Sequence, residues 1–268
     1  MNTETNDSTE FRQKPDKLKH EFHRHKFRLH HHAYEDFHRS QWQTKPTSWA
    51  FLIYRWLLAI FFNVGVATCI YFYFLGGRWF IYLTNWGFML CGITSTTGAI
   101  CLSIYHKHPE GMVQRVCIIK CYWACYWTNL IIAYVIGIVY WGAIHFKKGE
   151  DDDRGDVSTV YNLWTHAMPS LLFTVDHMIV AQPSRILHFI YPFFFGLIYG
   201  IFTIIYYLLG GLDVRDRTYI YSMLNHAIPH QSLGTMALIT LLIIACSTFH
   251  YGLYRLRVFI AGKLKKLQ

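Results

Sequence analysis

Six long stretches of the chain carry no Asp, Glu, Lys or Arg, at roughly 56–77, 79–106, 121–146, 157–175, 186–212 and 218–254. A bilayer core of about 30 Å needs about 20 apolar residues in a helix, and an uncharged run of 18 or more is read as a span. No water reaches that depth, so each backbone amide must bond within its own segment, and the runs are expected to be helices. The pattern predicts an all-α integral membrane protein, a six-helix transmembrane bundle over 49–254. A polar segment, 1–48, precedes it and a basic one, 255–268, follows. With 53% hydrophobic, 18% aromatic and 15% charged residues, the composition suits a bundle that faces lipid and leaves little room for a soluble domain.

Charge then orients the bundle. Six spans place both termini on one side, where the loops and tails hold seventeen Lys and Arg residues, against six on the other (Arg78, Lys147, Lys148, Arg154, Arg215 and Arg217). Cytoplasmic loops carry the excess of positive charge, so both termini are expected in the cytoplasm. Arg55 and Lys120 lie just inside span ends and are expected to snorkel back to the basic side. The acidic run Glu150-Asp151-Asp152-Asp153 belongs with the outer face, as a solvated loop. The net charge of +9 follows from this orientation and gives no warrant for nucleic acid. The start of the chain lacks a basic-then-apolar segment, so the first span is expected to act as an uncleaved signal anchor.

Histidine, lysine and arginine crowd residues 17–39, with Phe22, Phe27, Tyr34 and Phe37 among them. Two readings stand side by side: a disordered basic tail, or a tail held on anionic lipid at about 1 kcal/mol per basic residue. Histidines titrating near pH 6.5 would let acidification strengthen the lipid contact. His30-His31-His32 is a poor metal site, because adjacent side chains do not converge on one ion. Cys117, Cys121 and Cys125 line one helix face, where they read as small packing residues, with acylation of Cys117 as the other reading. No metal or cofactor is expected, and membrane lipids are the expected partners.

The second and fourth runs stand apart. The second opens with Thr84 and Asn85 just inside the outer interface. The fourth, the least hydrophobic, carries Asn162, His166, Asp176 and His177. Ionisable groups inside a membrane are costly and usually face an interior cavity. Thr84 and His166 each lie about five residues from the outer side, or about 7 Å deep at 1.5 Å per residue. A hydroxyl and an imidazole at equal depth suit a nucleophile and its general base. Asp176 is about 15 Å along the helix from His166, so any orienting partner comes from elsewhere: Asn85, Asn162, or Asn225-His226. The structural alternative is interhelical hydrogen bonding without chemistry.

The string Ile81-Tyr82-Leu83-Thr84-Asn85-Trp86, the preceding Gly77-Arg78-Trp79, and Gly210-Gly211 followed by Tyr219-Ile220-Tyr221 resemble the rolling stone family. Rolling stone is an insect membrane protein implicated in myoblast fusion. The likeness runs from Gln41 to about Pro229 and implies a multi-pass plasma-membrane protein acting in muscle differentiation. A more distant similarity is to the androgen-induced, six-span hydrolases of fatty acid esters of hydroxy fatty acids. Their membrane-embedded threonine and histidine match Thr84 and His166, and the Pro183-Ser184-Arg185 string follows the histidine span here as it does there. This chain departs from them in the earlier Pro169 and in Asn85. That resemblance implies a Thr/His hydrolase of lipid esters. A channel or transporter ranks below both readings, since no inverted repeat is evident.

Overall fold

The computed structural model describes residues 18–146 and 158–265; the acidic run 150–153 and the basic residues Lys147, Lys148 and Arg154 lie outside them. Helix α1 (Trp49–Tyr73) starts where the Ser48 hydroxyl accepts from the Phe51 amide, and it stops at Leu75, Gly76 and Gly77, all with positive φ. Glycine adopts that conformation without a Cβ clash, so the chain can turn sharply through a 3-10 segment, Leu75–Ile81. Then come α2 (Leu83–Lys107), the short α3 (Pro109–Val113), and α4 (Val116–Val139), which runs on as a π-helical turn to Ile144.

The fourth apolar run is helical in two pieces, α5 (Thr159–His166) and α6 (Met168–Ile179). Pro169 lacks an amide hydrogen and cannot continue a helix from α5, but it suits the first turn of α6. After an extended stretch and a 3-10 turn at Ile186–Phe189 come α7 (Ile190–Leu208) and α8 (Pro229–Lys265). Among the described residues no strand forms, and five helices are long and apolar enough to cross a membrane: α1, α2, α4, α7 and α8. The protein is an all-α membrane protein.

Helix α4 is the central element, and α1, α2, α6, α7 and α8 are arranged around it and one another. The core packs Phe62, Phe88, Trp123, Tyr126, Trp127 and Phe173, all fully buried. Most of the apolar surface of α7 and α8 is uncovered by protein, as lipid-facing helices require.

Three expectations are corrected here. The sixth run does not enter helix at residue 218: residues 212–228 form a folded loop with a 3-10 turn at Ser222–Leu224, and α8 begins at Pro229. Its helix also runs past Arg255 to Lys265, because Arg257 is buried and donates to the carbonyls of His177 and Gln182. Arg55 does not snorkel. It is 3% exposed and paired with Asp176 inside the bundle.

Residues 18–48 also differ from a disordered tail. They fold as 3-10 turns and pack against the ends of α2, α3 and α4 and the 3-10 turn Ile186–Phe189. Ser40 bridges Val180 in antiparallel fashion, the Gln41 amide donates to Ile179 O, and Ala181 N donates to Arg39 O. His31 pairs with Asp36 at 2.9 Å, and Phe37 packs edge-on against Trp123, centroids 5.1 Å apart. Composition hid this because six of the segment's polar side chains, among them Asp36 and His38, are buried in specific contacts.

Candidate functional site

Thr84 lies in the first turn of α2, directly after the glycine turn, and His166 is the last residue of α5. Tertiary folding brings them together across 82 residues, with Thr84 Oγ1 3.3 Å from His166 Nε2. That is loose hydrogen-bond reach, as catalytic pairs often show without substrate.

The other face of the imidazole settles its tautomer. His166 Nδ1 lies 3.0 Å from the Asn162 carbonyl oxygen, which can only accept. The ring hydrogen therefore sits on Nδ1, and Nε2 presents a lone pair to Thr84. Thr165 Oγ1, 2.9 Å from the same Nδ1, gives its own proton to Tyr161 O at 2.8 Å and accepts a share of the Nδ1 hydrogen. Tyr140, from the π-helical turn of α4, stacks on the imidazole with centroids 3.5 Å apart and planes 17° apart. The histidine is held on its edge by hydrogen bonds and on its face by an aromatic ring, so its rotamer is fixed.

Asn85 does not touch His166. Its Nδ2 donates to Trp79 O at 2.6 Å and braces the 3-10 turn that delivers Thr84. Asn162 orients the histidine through its backbone carbonyl, and its side chain lines the adjacent cavity. Asn225 and His226 take no part: His226 Nε2 contacts Thr203 Oγ1 at 3.0 Å, and Asn225 Oδ1 accepts from the Ala227 amide. Asp176 sits at the opposite end of α6 with Arg55. The sequence reading missed Tyr140 and Thr165. Thr165 was findable as the hydroxyl beside a membrane histidine, whereas Tyr140 is one aromatic among many in its run.

Two cavities meet at Thr84. One, of about 180 Å³, is lined almost wholly by aliphatic and aromatic side chains of α4, α7 and α8. The other, of about 300 Å³, is also walled largely by apolar and aromatic groups but carries polar ones among them: Thr84, His166, Asn162 and, from the loop after α7, Arg215 and Arg217. Thr84, Tyr140, Ile144 and Tyr221 belong to both linings. Among the described residues no group of three His, Cys, Asp or Glu side chains is placed to hold a metal ion.

Comparison with known proteins gives the family. A profile of the family described as "Protein rolling stone" matches residues 10–265. The chain is 34% identical over 231 residues to Protein rolling stone of Drosophila melanogaster, covering 82% of each. No solved structure matches it. The chain belongs to the rolling stone family.

Proposed function

We propose that this membrane protein is a hydrolase of lipid esters, with Thr84 as nucleophile and His166 as general base. The observation that carries the reading is the Thr84–His166 contact with the ring hydrogen on Nδ1, at the junction of an almost wholly apolar cavity and a second one that carries polar groups. Thr84 Oγ1 attacks the ester carbonyl carbon while its proton passes to His166 Nε2. The tetrahedral intermediate develops negative charge beside the N-terminus of α2, where the helix dipole is positive. Collapse breaks the bond to the alcohol oxygen, which takes the proton from Nε2. Water, deprotonated by the same Nε2, then attacks the acyl carbonyl, and collapse releases the carboxylic acid while Thr84 Oγ1 takes the proton back from Nε2. The sum is ester plus water to acid plus alcohol, with no cofactor. A fluorophosphonate probe applied to membranes should label the wild type and spare Thr84→Ala. Equal labelling of both proteins would end the proposal.

The family supports a second reading at the level of the cell: a multi-pass plasma-membrane protein, both termini cytoplasmic, acting in myoblast fusion during muscle development. The cellular role rests on the 34% identity to Drosophila rolling stone, and the orientation on the imbalance of basic residues. The two readings are compatible, since ester hydrolysis alters the lipids that must merge. Fusing muscle cells that lack the protein should be rescued by the wild type and not by Thr84→Ala at equal surface level. Rescue by Thr84→Ala would separate fusion from the chemistry.

A further inference from the structure

Folding sorts the N-terminal segment by charge. From Leu18 to Tyr34 the single acidic residue is Glu21, and it is only 4% exposed. Lys19, Arg24 and Arg28 are exposed, as are five of the six histidines in that stretch. Leu18, Phe22 and Phe27 are exposed beside them, Phe22 at 59%. Solvation alone gives a chain no reason to turn its carboxylate inward and its apolar side chains outward. A surface that is cationic and apolar at once, with its acid hidden, matches the chemistry of an anionic membrane surface.

The segment also lies at the depth where a leaflet would meet it. Tyr191, in the first turn of α7, donates to Phe27 O at 2.9 Å, and Arg185 donates to His30 O at 2.7 Å. Helix α7 is long and apolar enough to cross a membrane, so its first turn marks an interface, and Phe27 is fastened at that level. Trp49, which opens α1 at the same end of the bundle, is 73% exposed, and Trp42 is exposed near it. Aromatic rings at span ends belong to the headgroup region. The segment's own backbone bonds are few: Glu21 N to Leu18 O at 3.1 Å, Lys26 N to His23 O at 2.8 Å and Arg28 N to His25 O at 3.1 Å. A second surface that held it would therefore add order.

We propose that residues 18–32 are a binding surface for anionic phospholipid in the adjoining leaflet. Lys19, Arg24 and Arg28 hold the phosphates, and Phe22 seats among the acyl chains. Each guanidinium can take a phosphate in a forked pair of hydrogen bonds, and the histidine rings add N–H donors. Lipid is the fitting occupant, because the surface is continuous with the membrane that the bundle crosses. The inference is independent of the ester chemistry at Thr84.

The test uses the full chain in nanodiscs of phosphatidylcholine, alone or with phosphatidylserine. Hydrogen exchange is followed at the amides of Glu21, Lys26 and Arg28. A lipid that binds only the docked segment opposes its release. Exchange should slow about tenfold when phosphatidylserine stands at about ten times its Kd, and high salt should reverse this. Lys19→Gln/Arg24→Gln/Arg28→Gln should exchange like the wild type in neutral nanodiscs, showing that the segment still docks, and should lose the response to phosphatidylserine. Removing three exposed charges elsewhere on the same side, by Lys45→Gln/Lys107→Gln/Arg115→Gln, should leave the response intact. If the first triple variant fails to dock, Arg24→Gln alone carries the comparison. It should raise the phosphatidylserine needed for half protection about fivefold, and no rise overturns the proposal. No response in the wild type overturns it too, as does an equal loss in both triple variants, which would leave overall charge as the cause. Protection by poly-glutamate in neutral nanodiscs as strong as that by phosphatidylserine would give the surface to an acidic protein and overturn it as well.

Discussion

Arg55 on α1 and Asp176 on α6 form an ion pair inside the bundle, in which the one nitrogen Nη1 lies 2.8 Å from Oδ1 and 2.9 Å from Oδ2 of the carboxylate. Tyr122 of α4 takes a further hydrogen bond from the guanidinium, so three helices meet at one charge. The pair ties the short α6 to the bundle although no long apolar helix of its own anchors it there. It also removes Asp176 from any role beside His166.

Breaking this pair from one side should be severe. Asp176→Asn or Arg55→Met leaves a buried charge without its partner and should cost about 3–5 kcal/mol. The joint replacement Arg55→Met/Asp176→Leu should recover much of that. Gly98→Ala should act in the same direction, because a Cβ there runs into the Arg55 guanidinium and the Tyr122 hydroxyl. Thermal unfolding in detergent reads all four. Single variants as stable as the wild type would show that the pair contributes nothing to the fold.

At the site, Thr84→Ala should abolish probe labelling and ester turnover with surface expression retained. His166→Ala should lower turnover by roughly 10²- to 10⁴-fold, the usual contribution of a general base. Should the two serve only as a hydrogen-bonded tie, each change would cost about 0.6 kcal/mol of helix association. Asn85→Ala should act on stability instead, by about 1–3 kcal/mol, since it leaves the buried Trp79 carbonyl without its donor. Full activity in His166→Ala is the result that would remove the base from the mechanism.

The packed N-terminal segment makes its own prediction. Phe37 is 7% exposed and sits against Trp123, so Phe37→Ala should destabilise the segment's docking by about 3–5 kcal/mol. Limited proteolysis within residues 18–45 should become fast in that variant. Equal cleavage rates in the two proteins would return the segment to the disordered reading.

Acid should release the same segment. Burial, and after it the positive charge of Arg55, hold the His38 pKa down to about 4, while an undocked histidine titrates near 6.5. His38 stacks on Tyr105 in its neutral form. The free segment takes up protons first, so docking is at full strength above about pH 6.5 and weakens as pH falls toward 4. The measured quantity is the difference between wild type and His38→Gln, which isolates this one histidine. Proteolysis rates across pH 4 to 7 should fall less steeply in the variant, and identical profiles would exclude His38.

Orientation is tested on cells. An epitope inserted after Gly155 should stain without permeabilisation, and one at either end of the chain should need it, as the imbalance of basic residues requires. Surface staining of both ends would invert the bundle.

The uncharged runs were enough to determine a helical membrane protein, because hydrocarbon excludes both charge and unpaired backbone, and that constraint is local to each segment. They also marked Thr84 and His166, since polar groups at membrane depth stand out against an apolar run. They could not show the break at Ala167, the folded loop before Pro229, or the partner of Arg55. Nor could they show that Asn162 orients His166 with its carbonyl and not its side chain. Those depend on how far each helix is rotated about its axis and which neighbour it meets, and the summed packing of distant segments decides both. The N-terminal segment is the clearest case. Its composition reads as solvated, yet His38 and His31 are buried against rings more than sixty residues away, Tyr105 and Trp123. A polar residue's burial is set by the partner it finds, and only the tertiary structure supplies the partner.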